Sequence, residues 1–259
     1  GKDTFVANQE YTTTNFSTWP TLYAGTSNGG IHKFRSLLYF NLSGLLPTGD
    51  VQILGASLSM RNQFSVDCTP RQVQLRGLDT PLTDTATWAT TSPSTQPIVA
   101  APSFAYGATG CPENYVLFDV ASLAQSWVAG APNKGIELRA ASDTDTGNFR
   151  VFYSADAGVY GTMPTLWISY NRRPAMPTPA EPPNSPADGA AVSTLTPTLA
   201  VNPAADPDGD PVKYFFRVTD SPGAEVGAKV AECGGFICGP TWTVPNGALV
   251  DGVTYWWHA

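Results

Sequence analysis

Residues 114–140 read NYVLFDVASLAQSWVAGAPNKGIELRA, and three kinds of order follow one another within them. Asn114 to Val120 is an almost unbroken apolar run, as expected of a strand in the middle of a sandwich. Val120, Leu123, Ala124, Trp127 and Val128 then fall on one face of a short helix, with Asp119 placed to cap it, Gly130 to end it and Trp127 turned into the core. Ile136 and Leu138 alternate with Glu137 and Arg139, the period of a half-buried strand whose charged residues point outward. Strand, short helix, strand is the pattern of an all-β domain interrupted by one helix.

The same period recurs on both sides of this stretch. Val73 and Leu75 alternate with Gln72, Gln74 and Arg76; Phe149, Val151 and Tyr153 form another set, and Leu166, Ile168 and Tyr170 another. Arg35 to Leu42, RSLLYFNL, is a second continuously apolar run. Together they predict two packed sheets, a lectin-like jelly-roll sandwich. Composition agrees: the 259 residues include 24 Gly and 23 Pro but only 14% charged side chains, which is rich in turn formers and poor in helix-surface residues. An apolar content of 42% argues for a globular chain. No run approaches the roughly 18 apolar residues that a membrane span needs.

Proline marks a boundary at RRPAMPTPAEPPNSPAD, Arg172 to Asp188, which favours extended, donor-poor backbone. The division expected is a sandwich over 1–173, a linker over 174–190 and a second domain over 191–259. TPTLAV, VKYFFRVTD, KVAEC, TWTV and TYWWHA are short strands spaced as in an immunoglobulin-like sandwich. From Leu195 to Ala259 there are 65 residues, where such a fold takes about 100, so this domain is expected to be incomplete at its C-terminal end. Acidity also divides here: 1–173 carry 12 acidic and 11 basic side chains, 174–259 carry 9 and 3. An acidic chain with no basic stripe does not bind nucleic acid by phosphate neutralisation.

Four cysteines allow three pairings, and Cys68–Cys111 with Cys233–Cys238 keeps each bridge inside one compositional unit. The short second loop would then order a turn. Disulfides place the chain in an oxidising, extracellular or cell-surface compartment. A start at Gly1-Lys2 without an apolar leader is expected of a processed secreted chain or a trimmed one.

In order, DTFV, RSLLYFNLSGL, GASLSM, TATWATTSPST, FDVASLAQSWVAGAPNKGIELRA, FRVFYSAD and PTLWISYN resemble a DNRLRE domain, a β-sandwich of secreted bacterial proteins related to carbohydrate-binding modules. FSVDCTPRQVQL with GCPENYVLFDV is similar to the subset at the front of large actinobacterial surface proteins. Many of those continue through Ig-like or fibronectin-like modules, which ADPDGDPVKYFFRV to YWWHA resembles, into RHS/YD-repeat regions. The resemblance implies a non-catalytic module for adhesion or recognition of polysaccharide or cell-surface glycan within a larger parent protein. The alternative is a purely structural stalk of such a protein.

Two further features point to ligands. Asp206, Asp208 and Asp210 alternate around Gly209, oxygen donors of the type Ca2+ accepts, although Asp-Gly also makes a tight turn without metal. Trp19, Tyr23, His32 and Arg35 lie in or beside the long loop NFSTWPTLYAGTSNGG and are the candidate ligand-facing group, because loops carry recognition more often than strands do. Catalysis lacks raw material. The two histidines, His32 and His258, and the absence of a G-x-S-x-G elbow leave no triad, and of the carboxylates a glycosidase would need, Asp119 is explained by its helix and Glu137 by an outward strand position.

Overall fold

A computed structural model describes residues 1–47, 50–222, 228–233 and 238–259. The chain forms two compact units, Gly1–Asn171 and Arg172–Ala259. The first is an all-β sandwich with one α-helix. Its strands are β1 (Lys2–Ala7), β2 (Thr21–Ser27), β3 (His32–Tyr39), β4 (Val51–Ser65), β5 (Arg71–Gly77), β6 (Ile98–Ala100), β7 (Ser103–Phe104), β8 (Asn114–Asp119), β9 (Ile136–Ala140), β10 (Arg150–Tyr153) and β11 (Thr165–Arg172). Hydrogen bonding runs in the order β11-β4-β10-β2-β3-β9-β5-β6, with β1 on β3, β7 on β5 and β8 on β4.

The path turns from one layer to the other at β2. Its first half, Thr21 to Ala24, pairs with β10, and its second half, Gly25 to Ser27, pairs with β3. Gly25 sits at the turnover with φ +121, and a Cβ there would lie 2.1 Å from the Asn148 carbonyl oxygen. Only glycine satisfies both demands.

Leu38, Val73, Leu75, Ile136 and Leu138 from one layer meet Ala56, Leu58, Met60, Val116, Phe118 and Phe152 from the other in a single core. The helix α1 (Ala121–Val128) closes it with Ala124 and Trp127, as the sequence spacing predicts. Asp119 accepts a 2.9 Å hydrogen bond from the Ala121 amide, and Gly130 ends the helix at φ +99. Asn62 and Arg150 are wholly buried, and backbone carbonyls accept from both. Asn62 donates to the Phe64 and Val151 carbonyls, and Arg150 donates to the carbonyls of Phe104, Gly147 and Phe149. Burial pushes the Arg150 guanidinium down to about 10.

The outer face of the β1-β3-β9-β5 layer is covered as well. Leu78, Leu82 and Ala86 pack on Val6 and Leu37, so the irregular segment after β5 forms a partial third layer. This overturns the outward placement expected for Glu137. Glu137 stands opposite Leu37 and Arg76 on that face and is 0% exposed. Arg35 meets it at 3.0 Å and Arg139 at 3.4 Å, and the Ser94 amide donates to it. Alternation gave the correct face but could not show that a loop covers it.

Both expected disulfides are present. Cys68–Cys111, with Cα atoms 5.8 Å apart, joins the end of β4 to the start of β8. Cys233–Cys238 lies in the second unit, and the turn expected inside it, 234–237, is outside the described residues.

Among the described residues, the second unit holds two three-stranded antiparallel sheets. One is β12 (Thr178–Pro179), β13 (Thr198–Asn202) and β16 (Thr241–Thr243); the other is β15 (Lys229–Glu232), β14 (Arg217–Thr219) and β17 (Trp256–His258). Leu199, Val201, Phe216, Val218, Ala231 and Val244 form a core between them. Part of the segment read as a linker belongs to this unit. Thr178 and Pro179 pair with Asn202 and Val201, and buried Ser185 accepts from the Ala200 amide. Proline is compatible with such an edge strand because the donor it lacks would face away from the sheet. β17 pairs with β14 along one side.

Candidate functional site

The β8-β4 layer has one side in the core and one side open. Leu58 faces Phe118 and Met60 faces Val116 on the buried side; Arg61 faces Tyr115 and Ser59 faces Leu117 on the other. Tyr115 is 43% exposed and Leu117 61%. The expectation that Asn114 to Val120 lies mid-sandwich is therefore corrected. β8 has β4 as its hydrogen-bonded neighbour among the described strands, and its apolar residues divide between core and surface.

Arg61 lies at the centre of this open side, its guanidinium carbon 5.8 Å from the ring centres of both Tyr115 and Tyr153. Glu113 fixes it by accepting from Arg61 Nε at 3.1 Å and from the Tyr153 hydroxyl at 3.2 Å. Burial and the Glu113 charge raise the Tyr153 phenol above its ordinary range, so it stays a neutral donor. On β11, Leu166 and Ile168 pack into the core while Trp167 between them is 66% exposed. Flat rings beside a fixed cation–carboxylate pair can do two things: stack on an apolar face and hydrogen-bond the polar groups around it.

The group expected from the loop is placed differently. Trp19 is 45% exposed and packs edge-on against Phe5 and Phe16. Tyr23 lies among Phe5, Phe34 and Phe149. His32 is near Tyr11 and 3.8 Å from Glu10. These three surround one aromatic cluster; Arg35 does not join them. It is 4% exposed, bound to Glu137 and to the Thr91 carbonyl, with Trp88 4.3 Å above its guanidinium. Arg35 thus faces Glu137 and the Thr91 carbonyl rather than the surface expected of a ligand-facing residue; burial lowers its pKa and Glu137 opposes that shift.

Tyr115, Arg61, Glu113, Tyr153 and Trp167 lie outside the ligand-facing group expected from the sequence, in which Glu113 is read only as a carboxylate available to a glycosidase and Trp167 only as one of the chain's aromatic residues. The signal for Trp167 was present, since the alternation of Leu166, Ile168 and Tyr170 leaves it on the opposite side. Glu113, Asp119 and Glu137 are each engaged elsewhere, with Arg61, the helix start and Arg35 respectively.

In the second unit, Asp206 accepts from the amides of Asp208 and Asp210, a self-closing turn. Asp208 accepts from the Arg172 amide and Nε at 2.6 and 2.8 Å, which lowers its pKa. No group of three metal-ligating side chains converges among the described residues. With Asp208 already neutralised by Arg172, millimolar Ca2+ is expected to leave the melting of this unit where chelator leaves it. A higher melting temperature in Ca2+ would instead support a site at Asp206, Asp208 and Asp210.

No helix among the described residues is long and apolar enough to cross a membrane. A comparison with curated proteins finds no significant match. The profile of carbohydrate-binding module family 96 matches residues 1–170, which is almost the whole first unit. The chain belongs to carbohydrate-binding module family 96.

Proposed function

We propose that this chain is a non-catalytic, secreted or cell-surface module that recognises carbohydrate through the open β8-β4-β10-β11 side of its first unit. One observation carries the proposal: in a family 96 module, Trp167, Tyr115 and Leu117 are exposed on the side that holds the fixed Arg61–Glu113 pair. Exposed aromatic and aliphatic side chains grouped around fixed polar groups are what a carbohydrate-binding surface offers. Two disulfides fit an oxidising, extracellular setting. The second unit acts as an Ig-like spacer toward further segments of a larger protein, in keeping with the DNRLRE and RHS-protein resemblance.

A glycan array tests this directly. Reproducible binding that falls by at least about tenfold in Tyr115→Ala, as removal of a central interface aromatic does, is the expected result. Silence across neutral and acidic glycans would contradict recognition and favour the structural-stalk reading.

A further inference from the structure

We infer that the turn 159–162, between β10 and β11, forms one wall of the recognition surface, and that Tyr160 on it is a ring that stacks on the bound polysaccharide. The inference rests on the carbohydrate-recognition reading above and adds to that site a contact residue and the means by which it is positioned.

The segment 154–164 leaves β10 just after Tyr153 and enters β11 shortly before Trp167, so both of its ends emerge beside residues of the candidate site. Its first half is tied to the body of the unit. The Ser154 hydroxyl donates to the Trp19 carbonyl at 2.6 Å, the Ser154 amide to the Pro20 carbonyl at 3.1 Å, and the Ala155 amide to the Asp3 carboxylate at 2.7 Å. Its second half closes on itself. The amide and the hydroxyl of Thr162, which is buried, both donate to the Val159 carbonyl. Tyr115 adds a tie from β8, its hydroxyl donating to the carbonyl of Gly161.

Tyr160 precedes Gly161 and therefore starts one Cα–Cα step, about 3.8 Å, from the residue that Tyr115 holds. The turn buries its threonine and leaves Val159 and Tyr160 exposed, Tyr160 wholly so. Burial of apolar area favours the reverse order, so packing within the turn does not account for a tyrosine at this position. A ligand does. A ring on a turn whose backbone is already fixed costs little further ordering on binding, and its flat face can cover the apolar side of a sugar while Arg61 and Glu113 meet the hydroxyls. The Tyr115 hydroxyl, engaged by the turn, then acts through Tyr160 and is a positioning group.

The test uses the intact chain and affinity electrophoresis in gels containing dextran, galactomannan, xylan, pectin or alginate, which cover neutral and acidic polymers. The parent is compared with Tyr160→Ala, Tyr160→Phe, Tyr115→Phe and the double variant Tyr115→Phe/Tyr160→Ala. On a polymer that retards the parent, Tyr160→Ala is expected to weaken binding by at least about tenfold and Tyr160→Phe by less than about twofold, with the melting temperature unchanged in both. Tyr115→Phe keeps its ring and loses the tie, and is expected to weaken binding about threefold or more. The double variant is expected to bind as Tyr160→Ala does, because a group that acts only through Tyr160 then has nothing left to position. Parent-like binding by Tyr160→Ala, or a further loss from Tyr115→Phe in the Tyr160→Ala background, would overturn this inference and leave the recognition reading intact. Failure of the parent to bind any of these polymers would overturn both.

Discussion

Replacing Arg35 by Met is expected to destabilise the first unit by about 3–5 kcal/mol, because it leaves Glu137 as a wholly buried carboxylate without its closest cation. The cost should fall toward the lower end of that range, since Arg139 remains 3.4 Å away and the Ser94 amide still donates. Urea unfolding followed by tryptophan fluorescence reads the change as a shift in midpoint. Changing Arg35 and Glu137 together to Met and Leu should restore much of the loss, as it removes the uncompensated charge along with its partner. A single variant as stable as the parent would show that the pair is solvated in solution and that the segment after β5 does not seal the face.

Loss of the Cys68–Cys111 bridge has the next largest expected effect. The two cysteines are 43 residues apart, and the chain-entropy relation gives about 4 kcal/mol for a loop of that size, against about 2 kcal/mol for the short Cys233–Cys238 loop. The double variant Cys68→Ser/Cys111→Ser should therefore cost the first unit about twice the unfolding free energy that Cys233→Ser/Cys238→Ser costs the second, as read from urea unfolding of each unit. Equal small losses would mean that β4 and β8 hold their register without the clamp. Peptide mapping under non-reducing conditions should recover the same two bridges and none across the units.

Elements defined by local periodicity were legible in the sequence. The five apolar positions of α1, the alternation in β5 and β9 and the intra-unit cysteine pairs all depend on neighbours a few residues away or on simple arithmetic. What could not be read depends on partners distant in sequence. Arg35 lies in an apolar run and was assigned to a ligand, yet it is buried because Glu137, 102 residues later, neutralises it under the loop that carries Trp88. Thr178 and Pro179 read as linker because proline suggests solvated extended chain; the strand Thr198–Asn202 claims them as an edge.

The candidate site shows the same limit. Tyr115 and Leu117 sit in a run so apolar that both sides of β8 looked buried, and only the pairing with β4 shows one side open. Trp19 drew attention because it lies in a polar loop, but its ring packs against Phe5 and Phe16. Arg61 and Glu113 are 52 residues apart, and no spacing rule joins them. A carbohydrate-binding family was legible only through the resemblance of the first unit as a whole, and the surface we propose for recognition required the fold.

Calorimetric titration of the polysaccharide that binds best, into the parent chain, Trp167→Ala and Trp19→Ala, tests the central claim most directly. Trp167 is largely exposed and Leu166 and Ile168 keep β11 packed, so its replacement leaves the fold unchanged. The account predicts that Trp167→Ala weakens binding by at least about tenfold, equivalent to about 1.4 kcal/mol, while Trp19→Ala binds as the parent does. Full binding by Trp167→Ala together with loss in Trp19→Ala would contradict it and move the recognition surface to the loop around Phe5 and Phe16.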